Sequence, residues 1–113
     1  MKGRPEPRAR EGAGAHRVLE LPVEADLVAF DGHFEGNPIL PGVVQVDWAI
    51  RYAEEAFGPL GTFAALEQLK FTGLSRPGTS LRLVLDWNSE ARTLHFAFEG
   101  EGERKSSGRE RFR

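Results

Sequence analysis

The sequence predicts an α+β domain in which one long helix is wrapped by an antiparallel sheet. Three observations predict it. Apolar residues from Val43 to Phe57 fill more than one stripe at helical spacing. From Thr62 onward the apolar period changes to two. The breaks between those alternating runs are short and rich in turn residues. At 113 residues the chain has room for one such domain and little more, expected over 15–113.

Along the chain, 1–14 hold Pro, Gly, Ala and charge without periodicity, and a disordered leader is expected there. His16–Val23 contains VLELPV, a short strand. Residues 24–42 are irregular and carry Gly32, Gly36, Pro38, Pro41 and Gly42. A loop that long in a small domain is usually functional. The helix follows Pro41-Gly42 and stops at Gly58-Pro59, where glycine permits a left-handed cap. Gln45, Arg51, Glu54 and Glu55 are its expected solvent-facing residues.

Phe63, Ala65, Leu69 and Phe71 alternate in the next strand. Leu81, Leu83, Leu85 and Trp87 follow, then Leu94, Phe96 and Phe98, and a weaker strand spans about 103–112. The breaks GLSRPG, NSEAR and GEG suit hairpins, so the expected sheet is a meander. One helix covers one face of such a sheet, and its edges remain open. A second copy of the chain would answer both problems.

Composition narrows the function classes. There is no Cys, hence no disulfide, thiolate nucleophile or Cys-based zinc site. No apolar run reaches the length of a membrane span, and the start has no apolar h-region, so the expected location is cytoplasmic. The ends are basic, net +3 over 1–17 and net +2 over 100–113, on a body of net −7. Neither end interleaves aromatics with its charge, so nucleic acid is not the expected partner. His16, His33 and His95 lack metal-ligand spacing. There is no G-x-S-x-G and no phosphate-binding glycine motif.

The chemistry-bearing segment is GHFEGNPILPGVVQVDW, residues 32–48. His33 lies in a Gly/Pro-fixed loop beside Phe34, which can partly desolvate it. Asp47 lies on the apolar helix, where a carboxylate is costly unless partnered. Pro41-Gly42 puts the free N–H groups of the helix start next to this loop, a site for an oxyanion. A base, an acid and an oxyanion donor are the parts for proton abstraction beside a carbonyl. Each has a plainer reading: a structural loop histidine, an Asp47–Arg51 pair at i,i+4, and a glycine serving the backbone alone.

This segment resembles the active-site segment of the 3-hydroxyacyl-[acyl carrier protein] dehydratases, whose pattern H-F-x-G-x-P-x-x-P-G is followed by an acid five residues on. His33, Phe34, Gly36, Pro38, Pro41, Gly42 and Asp47 match it. KFTGLSRPGTSL and SGRERF also resemble that family, so the resemblance covers about 16–113. ILPGVVQVDWA most resembles the small dehydratases associated with aryl polyene pigment clusters.

The resemblance implies a hotdog fold and a homodimer, or a higher oligomer, with active sites shared between protomers. It implies that His33 takes the C2 proton of a (3R)-3-hydroxyacyl thioester. The Gly42 N–H would hold the thioester oxygen, and Asp47 would hold or protonate the departing 3-hydroxyl. Phe34, Gly36, Pro41 and Val43 would line the substrate. It implies no metal or organic cofactor, with the acyl group arriving on the phosphopantetheine of an acyl carrier protein. A hotdog thioesterase using a carboxylate and water, and a non-catalytic acyl-thioester-binding subunit, are the alternatives.

Overall fold

The structure is a computed structural model that describes residues 3–24 and 39–113. The elements in chain order are β1 (Ala9–Glu11), β2 (His16–Val23), α1 (Gly42–Phe57), β3 (Phe63–Phe71), β4 (Thr79–Asn88), β5 (Thr93–Gly100) and β6 (Glu103–Phe112). The strands form one six-stranded sheet in the order β1-β2-β4-β5-β6-β3, every pair antiparallel.

The period-two pattern does what pleat geometry requires. Leu19, Leu21 and Val23 of β2, Leu81, Leu83 and Leu85 of β4, and Leu94, Phe96 and Phe98 of β5 are buried on one face. The register sets Leu19 opposite Leu83, and Leu83 opposite Phe98, so these side chains form rows across the strands. Trp48, Ala49, Tyr52 and Ala53 of α1 complete the core against that face. Trp87 packs against the core and meets Phe112 edge-on at 5.8 Å. The helix ends at Gly58, whose positive φ of 82° suits glycine and whose N–H donates to Glu54 O at 2.9 Å. No helix among the described residues is long and apolar enough to cross a membrane.

The sheet is not the expected meander. β4, β5 and β6 are joined by hairpins, the second turning at Glu101 and Gly102, both at positive φ. GLSRPG, by contrast, is no hairpin. It carries the chain from β3 at one edge to β4 in the interior, and β3 pairs with β6. Leu40 N–H donates to Ser75 O at 2.7 Å, which ties this crossing segment to the residues before α1.

Residues 3–14 also depart from the expected leader. β1 pairs with β2, and Pro5 is buried with its carbonyl accepting a hydrogen bond from the Tyr52 hydroxyl. Arg4 lies over the Tyr52 ring at 4.8 Å and pairs with Glu55 at 3.1 Å. The phenol supplies the reason: once buried in the core it needs an acceptor, and a proline-fixed carbonyl provides one.

β3 differs from the other strands. Its register with β6 shifts between Phe63 and Ala65 and again between Glu67 and Lys70, and Gln68 sits at φ 53°. Phe63, Leu66, Leu69 and Phe71 stay partly exposed. A nine-residue edge strand with a wet apolar face is a surface that folded proteins normally cover.

Candidate functional site

The site is built on the start of α1. Pro41 is the N-cap residue, with φ −62° and ψ 146°, and no side chain caps the helix. Gln45 N–H donates to Pro41 O at 3.3 Å, the first main-chain bond of the helix. Gly42, Val43 and Val44 precede that bond, so their N–H groups are the helix's orphan donors. The first turn holds no acidic residue. The positive end of the helix dipole is therefore left to whatever anion approaches it.

Gly42 is required here by close approach. A Cβ at this position would lie 2.7 and 3.0 Å from two atoms of the Phe71 ring. The ring, half exposed, forms one wall beside the oxyanion donors. Val43 is 77% exposed, and Asp47, one turn on, is also exposed. Arg51 follows at the next turn, its Nε 3.4 Å from Asp47 Oδ1. Val43, Asp47 and Arg51 thus form an outward stripe at i,i+4 spacing. The Asp47–Arg51 pair read from the sequence as the plainer alternative is present.

Pro41, Gly42, Val43 and Asp47 are brought together on two turns of one helix. His33, Phe34 and Gly36 lie outside the described residues.

Two residues escaped the sequence reading. Gln45, expected to face solvent, is buried. Its Nε2 donates to Leu40 O at 3.2 Å, and its Oε1 accepts from the Ser106 hydroxyl at 2.6 Å. The amide therefore ties the residue before Pro41-Gly42 to β6. Nothing in a helical pattern distinguishes this glutamine from a surface one, since its partners lie on a strand 61 residues away. Replacing Gln45 by leucine should cost about 2–4 kcal/mol, because two buried bonds go and their partners stay unpaired. Urea unfolding at fixed protein concentration measures this; an unchanged midpoint would show the network to be energetically idle.

The second is Glu110 of β6. It is fully buried at 0% exposure, and neither carboxyl oxygen has a hydrogen-bond partner. Burial, reinforced by the charge of Asp47, pushes its pKa up to about 8. Glu110 is therefore neutral at pH 7 and sits within the field of Asp47. It belongs to the strand alternation on the helix side, Ser106, Gly108, Glu110 and Phe112, where the pattern alone calls for an apolar residue.

Known proteins share this fold. The fold matches a chain of the dehydratase heterocomplex ApeI:P from Xenorhabdus doucetiae, with a TM-score of 0.89, 30% identity and 96% of each chain covered. It matches an uncharacterized protein from Erwinia carotovora subsp. atroseptica with a TM-score of 0.77, 37% identity, and 92% and 89% of the two chains covered. The one helix on a six-stranded antiparallel sheet is the expected hotdog fold. Among curated proteins, the 3-hydroxyacyl-[acyl-carrier-protein] dehydratase FabZ of Acetivibrio thermocellus is 44% identical over 65 residues, which span 51% of this chain and 44% of that one. FabZ of Alkaliphilus metalliredigens is 36% identical over 79 residues, spanning 64% and 54%. The chain spans about half the length of the curated relatives it matches. The model of the ApeI-like family, described as ApeI dehydratase, matches residues 9–109. With that match running from β1 into β6 and across the start of α1, the chain belongs to the ApeI-like dehydratase family.

Proposed function

We propose that this protein removes water from (3R)-3-hydroxyacyl thioesters carried by an acyl carrier protein, giving trans-2-enoyl thioesters. The observation that carries the reading is the uncapped helix start at Gly42 with Asp47 one turn further on, in a chain of a dehydratase family. Enolate charge developing on the thioester oxygen would be met by the Gly42 N–H and the helix dipole. His33 would accept the C2 proton, and Asp47 would serve the departing 3-hydroxyl. No metal or organic cofactor enters these steps.

We further infer a shared active site. Asp47 and Val43 point outward, and β3 presents an open edge with exposed Phe63, Leu66, Leu69 and Phe71. A second protomer joined along β3 would cover that apolar strip and bring its own His33 to this Asp47. A related hotdog subunit, as in the heterocomplex matched above, would satisfy the same surface. The acyl group fits a pathway of fatty acid or aryl polyene type.

Hydration of a crotonyl thioester tests the reaction. Loss of enoyl absorbance without thiol release is the expected result. Thiol release would favour a thioesterase instead, and neither signal would leave a binding subunit.

A further inference from the structure

The direction of the Gly42 N–H is set by its neighbours. That N–H and the Pro41 carbonyl belong to one planar peptide and point in opposite directions. The Pro41 carbonyl accepts the Gln45 main-chain N–H at 3.3 Å. The peptide before it is held by the same residue, because the Leu40 carbonyl accepts Gln45 Nε2 at 3.2 Å. Leu40 N–H donates in turn to Ser75 O at 2.7 Å. Gln45 thus grips both carbonyls that precede Gly42, one with its main chain and one with its side chain. The proline ring locks φ of Pro41, here −62°. Its ψ is then the torsion left to aim the Gly42 N–H, and the two bonds from Gln45 bracket that torsion.

The sheet anchors this grip. Gln45 Oε1 accepts the Ser106 hydroxyl at 2.6 Å. Ser106 is fully buried and lies opposite Phe71 in the β3–β6 register, and the Phe71 ring stands against Gly42. β6 therefore holds the first turn of α1 through Gln45, and β3 bounds it through Phe71. The side-chain amide gives its donor to a carbonyl and its acceptor to a hydroxyl, so it occupies none of the free N–H groups of the helix start. Packing alone does not call for such a pair, since apolar side chains of similar shape can replace two bonded partners at little cost.

We propose that Gln45, anchored by Ser106, is a positioning residue that aims the Gly42 N–H at the thioester oxygen. This rests on the dehydratase reading and deepens it. Charge on that oxygen grows in the transition state, so a misdirected donor costs rate more than binding.

Three variants of the whole chain and two readouts test this. In hydration of a crotonyl thioester, Gln45→Leu should lower kcat at least about tenfold with KM within about twofold. Ser106→Ala leaves the Leu40 bond in place and should lower kcat less. The double variant removes the hydroxyl that Gln45→Leu strands, so it should regain stability in urea over Gln45→Leu and stay as slow. Activity that returns with stability, or wild-type kcat in Gln45→Leu, makes the pair a packing feature and overturns the proposal. Should Gln45→Leu fail to fold, Ser106→Ala decides in the same way. The second readout needs no turnover. The infrared C=O stretch of a carbonyl-labelled crotonyl thioester should move to lower frequency on the wild type and move less on the variants. Equal shifts, or no shift on the wild type, overturn the proposal. A band that shifts on the wild type and less on the variants, with no hydration by the wild type, refutes the dehydratase reading and leaves the aiming of Gly42 standing.

Discussion

Glu110→Gln is expected to be more stable than the parent at neutral pH, by about 3 kcal/mol. The sign follows from proton linkage. The folded-state pKa of about 8 lies above the ordinary carboxylate value of 4.5. Between those values the folded chain holds a proton that the unfolded chain has released. Stability is therefore full below pH 4.5, falls as pH rises toward 8, and levels off beyond. At pH 7 the loss is roughly 1.4 kcal/mol for each of about 2.5 pH units, hence the ~3 kcal/mol that glutamine should restore. Urea midpoints at pH 4.5 and 7.5, at one fixed protomer concentration because association would add its own term, are the measurement. The two proteins should coincide at the acid end and separate at the neutral end. Parallel curves would mean that Glu110 is ionised in the folded protein.

His33→Ala should lower dehydration by about 10²–10⁴-fold, the range a positioned general base contributes. Oligomeric state should be unchanged, as read by gel filtration, because the apolar strip proposed to join the protomers lies on β3. Full turnover in the variant would end the assignment of the base. The shared site makes a sharper demand. His33→Ala and Asp47→Asn should each be nearly inactive alone, and subunit exchange between them should restore activity, since one of the two sites in a mixed dimer is then intact. No recovery after verified exchange would place His33 and Asp47 of one site on the same protomer.

These outcomes depend on residues that differ in how visible they are in the sequence. Pro41, Gly42, Val43 and Asp47 could be read from it because their relation is local: a proline and a glycine start a helix, and an acid on that helix stands out against its neighbours. Gln45 and Glu110 could not. A glutamine on a helix and a glutamate on a strand look like surface residues until partners from distant segments surround them. Ser106 gives Gln45 its second hydrogen bond, and Leu66 and Leu94 flank Glu110.

The strands divide in the same way. Alternation located β3, β4, β5 and β6, since pleat period depends on neighbours two residues apart. The pairing of β3 with β6 rather than β4 depends on which edge is free after the β4–β5–β6 hairpins close, and no local signal in GLSRPG records that. The segment expected as a leader follows this rule too. Its Pro, Gly and charge are indistinguishable from disorder locally, and it is held by Tyr52, 47 residues away.

By itself, then, the sequence determined the α+β class, the helix and its two ends, five of the six strands and the start of the candidate site, all set by interactions within a few residues. Tertiary structure alone decided the sheet order, the burial of Gln45 and Glu110, the packing of residues 3–14 and the apolar strip along β3. The physical reason is common to all of them: burial and hydrogen-bond partnership are properties of where distant segments meet, and a period along the chain carries no record of that meeting.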